Sequence, residues 1–147
     1  MLVIRSALAL VTAVQLLTLQ AGAASVQDIV DRHGLAGTWA PNCTKPVSRE
    51  NPHVVYRLID AGRLQRETMI EPGKTFDRSV AVSVVESSPA ELIMAWNTSE
   101  GGITNRVSVQ PGQMQVMDST RSSGEKITVD GQRTRDNSES PRYMRCP

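Results

Sequence analysis

The sequence predicts an all-β protein: an antiparallel, up-and-down barrel of about eight strands behind one short helix. Three observations lead there. After Gly34 the apolar residues change from the helical period of 3.6 to the strand period of 2. Turn signals then interrupt the chain at Ala61-Gly62, Glu71-Pro72-Gly73-Lys74, Ser87-Ser88-Pro89, Gly101-Gly102, Gln110-Pro111-Gly112 and Asp130-Gly131. Between them nothing can serve as a crossover helix, so neighbouring strands should pair antiparallel and mostly in sequence.

The elements follow in order. Met1 to Ala24 reads as a secretory signal peptide. Arg5 is its positive start, Ser6–Leu19 its apolar run, and Ala21-Gly22-Ala23-Ala24 its small-residue cleavage site. The run is about 14 residues, short of the ~20 that a membrane-spanning helix needs. No Cys follows it, which excludes lipid attachment at a mature N-terminal Cys. The domain expected is therefore residues 25–147, in the periplasm or outside the cell. Ser25-Val26-Gln27-Asp28 starts a helix as a capping box, with Val26, Ile29, Val30 and His33 on one face and Gly34 closing it.

Strands follow. The first lies within Leu35–Ala40 around Trp39, and the second, His53–Asp60, turns Val54, Tyr56 and Leu58 to one face. Arg63–Ile70 alternates through Leu64, Thr68 and Ile70, and Phe76–Val85 through Phe76, Val80, Val82 and Val84. Glu91–Thr98 points Leu92, Met94 and Trp96 inward, and Ile103, Val107 and Val109 continue the pattern. Met114 and Val116 form the next face, ended by Ser122-Ser123-Gly124, and Ile127 and Val129 make the last clear strand. Residues 132–141 read as a polar loop, after which Tyr143 and Met144 return to the body. Alternation buries one face, and an open sheet would leave that face and two raw edges exposed. Closing into a barrel removes both problems; a two-sheet β-sandwich is the alternative.

Composition excludes several classes. Sixteen basic against 15 acidic residues give no field for gripping nucleic acid, and loss of Arg5 leaves 15 against 15. Two Trp, two Tyr and one Phe cannot supply both a core and a platform for stacking bases. Two Cys and two His are too few for a zinc or iron–sulfur framework, and no metal or other cofactor is expected. On the oxidising side of a membrane the two cysteines, Cys43 and Cys146, have one intramolecular pairing. That disulfide would close a loop of about 104 residues, worth up to ~4.7 kcal/mol in the loop-entropy account.

Catalysis has little support. His33 closes the helix and His53 opens a strand, both read as solvated terminal residues rather than bases for a nucleophile. Glu67, Glu71, Asp118 and Glu125 flank strand ends and read as solvated rim residues. Asn42-Cys43-Thr44 and Asn97-Thr98-Ser99 match the glycan acceptor pattern, which matters only in a eukaryotic secretory pathway. Met69, Met94, Met114, Met117 and Met144 lie on or near strands, and such adaptable side chains either fill a core or line a pliable pocket.

The short helix, Gly37-Thr38-Trp39 on the first strand and the meander that follows resemble the lipocalin and calycin superfamily. The resemblance implies that Trp39 closes one barrel end and that a basic residue from the chain's far end, Arg142 or Arg145, packs across it. No Thr-Asp-Tyr triplet and no long C-terminal helix accompany the motif. Ser122-Ser123-Gly124-Glu125-Lys126 also resembles the Ser-Gly loop with which small periplasmic barrels inhibit lysozyme, although a plain hairpin turn uses the same residues.

These readings give a non-enzymatic binding protein for a small apolar or amphipathic ligand, lined by Tyr56, Phe76, Met94, Trp96 and Met114. The alternative is a protein-binding inhibitor or envelope interaction module that uses Ser122, Ser123, Gly124 and Lys126.

Overall fold

The structure, a computed structural model, describes residues 23–60 and 62–147. Apart from its last two residues the expected leader Met1–Ala24 lies outside them, as does Ala61 of the expected turn. The capping box forms as the sequence suggests. Ser25 Oγ accepts from Asp28 N at 3.1 Å, the Asp28 carboxylate accepts from Ser25 N at 3.1 Å, and Gly34 at φ 58° closes helix α1, Val26–His33.

Ten strands follow in one antiparallel sheet: β1 Gly37–Ala40, β2 His53–Asp60, β3 Arg63–Glu71, β4 Lys74–Ser88, β5 Glu91–Thr98, β6 Gly101–Gln110, β7 Gln113–Arg121, β8 Lys126–Val129, β9 Gln132–Arg133 and β10 Arg142–Arg145. Each strand from β1 to β7 pairs with the next. The barrel closes through β10, which pairs with β1 at Trp39↔Arg145 and with β7 at Tyr143↔Met114. The result is a closed eight-stranded antiparallel barrel and not a sandwich.

The closing strand differs from the one expected. The pair β8–β9 continues the sheet from the far half of β7, at Ser119↔Thr128 and Thr120↔Lys126, and Thr128 rather than Ile127 or Val129 is its buried residue. The chain's last segment takes the eighth barrel position because it has a tether there. Cys43 and Cys146 are disulfide-bonded, and Cys146 N donates to Thr38 O.

The phase of β4 also departs from the simple alternation. Register irregularities around Phe76 and Val82 insert one residue each, and a bulge of one residue flips every side chain beyond it. Asp77, Ser79 and Ala81 therefore take the inner face, Val84 regains it, and Phe76 and Val82 are 66% and 64% exposed.

The two barrel ends differ. At one end α1 packs against β3 and β4 and buries Ile29 and Val30 in the core that also holds Leu35, Trp39, Leu64 and Leu92. Arg32 and His33 fasten this plug to Glu86 of β4 at 2.7 and 2.9 Å. His33 is thus buried and bonded, not solvated, because the last turn of α1 lies against β4. The other end carries the 41–52 loop and the β3–β4, β5–β6 and β7–β8 turns, and among the described residues no helix covers it. Among the described residues no helix is long and apolar enough to cross a membrane.

Candidate functional site

At the uncovered end the barrel holds a cavity of about 670 Å³, within the range of small-molecule sites. Its walls come from β2, β3, β6 and β7, and its mouth from Arg49 and Pro52 of the 41–52 loop, Phe76 of β4 and the Thr98–Gly102 turn. Asn51 holds that loop in place. Its side chain is buried, Nδ2 donates to the carbonyls of Asn42, Lys45 and Pro46 at 3.0 to 3.1 Å, and Oδ1 accepts from Asn42 N. One amide thus satisfies the backbone of a loop that has no ladder of its own.

The lining is half apolar and half polar. Val54, Ile70, Ile103, Val107 and Met114 supply hydrocarbon. Between them sits a guanidinium: Arg66 on the inner face of β3, with its side chain only 16% exposed. Arg66 pairs with Asp77 at 3.2 Å, and its guanidinium carbon lies 4.8 Å from the centre of the Trp96 ring. A cation over an indole face contributes roughly 0.5–2 kcal/mol. Trp96 in turn packs against Tyr56 at 6.0 Å between ring centres. Burial pushes the Tyr56 hydroxyl up to about 12, against the pull of Arg66, and it raises Tyr143 as well. Both phenols stay protonated at neutral pH and present hydroxyls rather than charge.

Four buried polar atoms of this region have no hydrogen-bond partner among the protein's described atoms: Arg66 Nε, Ser79 Oγ, Trp96 Nε1 and Asn105 Oδ1. Ser79 lies directly across the ladder from Arg66, and Arg66 and Asn105 both line the cavity. An unpartnered buried polar atom costs about 1–3 kcal/mol, and two of the four belong to side chains of the cavity lining.

The residues expected to line a pocket divide. Tyr56, Phe76 and Met114 line the cavity, with Phe76 at its exposed mouth. Met94 and Trp96 are 1% exposed in the core behind it, so Trp96 meets the site through Tyr56 and Arg66. The 122–126 turn stands on the same rim. All five of its residues are exposed, Gly124 adopts φ 88°, and Arg121 braces the turn through ion pairs of 3.0 Å to both Glu100 and Glu125.

The sequence reading passed over Arg66, Asp77 and Asn105. Two of them had a signal. Arg66 falls in phase between Leu64 and Thr68, and Asn105 in phase between Ile103 and Val107, so each is a polar residue at an inward position of an alternating strand. Asp77 had none, because the bulge at Phe76 resets the phase.

The acidic residues weighed for catalysis are held in pairs. Glu67 is 8% exposed under Arg57 and Arg78, at 3.0 and 2.8 Å, and is therefore not a solvated rim residue. Asp118 binds Arg106, Glu71 binds Lys74, and Glu125 binds Arg121. Of Arg142 and Arg145, the two residues weighed for a place beside Trp39, Arg145 is its ladder partner. Arg145 donates to Ala36 O at 3.0 and 3.3 Å. Its Nε lies 3.4 Å from where a Cβ on Gly37 would stand, and Gly37 also adopts φ 132°. Arg142 is instead exposed, on Glu139.

The barrel is consistent with a lipocalin-like design. Comparison with known proteins adds no relative: no family model, curated protein or solved structure matches the chain.

Proposed function

We propose that this chain is an exported, lipocalin-like binding protein that holds a small amphipathic ligand in its barrel and performs no chemistry on it. The observation that carries the reading is the cavity of about 670 Å³, whose apolar walls surround the polar side chains of Arg66, Asp77 and Asn105. A barrel whose interior is only a core would fill that space with side chains. The proposed leader, with Arg5 and the apolar run Ser6–Leu19, and the Cys43–Cys146 disulfide both suit a periplasmic or secreted protein. Arg66, Asp77, Glu100 and Arg121 of the lining are engaged in ion pairs rather than set beside a nucleophile, which supports binding over catalysis.

A second reading rests on the exposed and braced 122–126 turn, which suits insertion into a partner's cleft. Native mass spectrometry of protein purified from an oxidising periplasm separates the two. Added mass that departs on denaturation is the expected result and begins to name the ligand. A bare mass, together with loss of lysozyme inhibition when Ser123 and Gly124 are changed, would transfer the function to the turn.

A further inference from the structure

Resting on the ligand-binding reading, the charge balance inside the barrel says what kind of head group the ligand carries. We propose that the cavity selects an amphiphile with an uncharged head that both donates and accepts hydrogen bonds, a carboxamide being the simplest, and that Asp77 sets this selectivity by neutralising Arg66.

The argument begins with charge. Arg66 and Asp77 lie inside the barrel at 16% and 19% side-chain exposure and 3.2 Å apart, so the interior carries a cation and an anion that cancel. A carboxylate head would compete with Asp77 for the same guanidinium and bring two anions close together in a medium that screens poorly. An ammonium head would meet Arg66 in the same way. The other charged residues of the lining are at the mouth: Arg121 pairs with Glu100, and Arg49 is exposed to water. A charged head therefore gains no uncompensated partner at the depth of Arg66.

Hydrogen bonding supplies the second half. Arg66 Nε is a donor without an acceptor, and Asn105 Oδ1 an acceptor without a donor; Asn105 is itself 6% exposed. Both atoms are shielded as the side chains stand, so a head with a carbonyl and an N–H reaches them as Arg66 and Asn105 turn towards the cavity they line, whereas a purely apolar ligand offers neither a partner. The apolar portion then extends past Ile70 and Phe76 towards the mouth. Phe76, two-thirds exposed at a bulge, offers the ring against which a protruding chain packs.

The test uses the full chain with its disulfide intact and three probes of equal chain length: decanamide, decanoate and decylammonium. Each displaces the neutral reporter N-phenyl-1-naphthylamine from wild type, from Asp77→Asn and from Asn105→Leu, and the ratio between probes is read within each protein. In wild type decanamide is expected to displace the reporter at concentrations about tenfold below either charged probe. Asp77→Asn keeps the shape and an acceptor but leaves Arg66 uncompensated, so the ratio shifts towards decanoate by about tenfold or more. Asn105→Leu erases the preference for the amide. A wild-type preference for decanoate, or an unchanged ratio in Asp77→Asn, overturns the head-group proposal while leaving a binding barrel. Failure of wild type to bind the reporter or any of the three probes overturns the binding reading itself and this proposal with it. The wild-type ranking needs no variant, so a variant that fails to fold does not shield the proposal.

Discussion

The two tryptophans are equally buried, in opposite circumstances. Trp39, towards the plugged end, is fully buried, and its indole N–H donates to Leu35 O at 2.8 Å. Trp96, towards the uncovered end, is 1% exposed, and its N–H has no partner among the described residues. The difference extends to their surroundings. Trp39 bonds only into the apolar core, whereas Trp96 lies under Arg66 beside Tyr56. One end of the barrel is a finished core and the other a site with hydrogen-bonding capacity to spare. A barrel of this size can hold both because its closed end is supplied by α1, leaving the far half free to be polar inside.

Three experiments break or sharpen that contrast, beginning with the largest effect. The Cys43–Cys146 bond fastens β10 beside β1, and β10 is what closes the wall. Replacing both cysteines by Ala should lower unfolding free energy by about 2–4 kcal/mol, measured by chemical denaturation. A loss below 1 kcal/mol would mean that the ladder pairs of β10 close the barrel unaided.

The same substitution at the two tryptophans gives the sharpest comparison. Trp39→Phe strands the Leu35 carbonyl in the core, whereas Trp96→Phe removes a donor that has no acceptor. Trp39→Phe should therefore cost about 1–3 kcal/mol more than Trp96→Phe, although each loses the same atoms. Equal losses would show that the indole N–H of Trp96 is satisfied in solution, and with it part of the case for an incomplete site.

The smallest effect concerns the plug. The His33 hydrogen bond, helped by Arg32, holds the Glu86 carboxyl below its ordinary value of 4.5. A carboxyl depressed in the folded state contributes stability that is fully present above pH 4.5 and disappears as the pH falls through the folded value. Denaturation midpoints of wild type and Glu86→Gln should therefore differ at neutral pH and converge in acid. Curves that stay parallel down to the acid limb would remove Glu86 from the fastening of α1.

Most of the frame was legible in the sequence. The capping box at Ser25 and Asp28 predicts α1 to within a residue, since those hydrogen bonds are local. Period-2 patterning and the Gly- and Pro-rich turns predict β2 to β7, and the oxidising compartment expected for two cysteines predicts their bond. Half of the pocket was legible too, in that Tyr56 and Met114 sit at inward positions of clean strands. Arg66 and Asn105 were hidden in plain view, because a search for apolar periodicity skips the polar residue that shares the phase.

What the sequence by itself determined is whatever depends on neighbours in the chain, namely the cap, the strand periods and the turns, together with the one disulfide that two cysteines allow. Tertiary structure decided the rest. The bulges at Phe76 and Val82 are set by register against β3 and β5, and they alone turn Asp77 inward to meet Arg66. Closure by β10 rather than β8 depends on ladder pairing between residues some hundred positions apart, which no local pattern encodes. The site lies where those two decisions meet. A buried charge is stable only opposite its partner, and which residue stands opposite which is settled by strand register in the closed barrel.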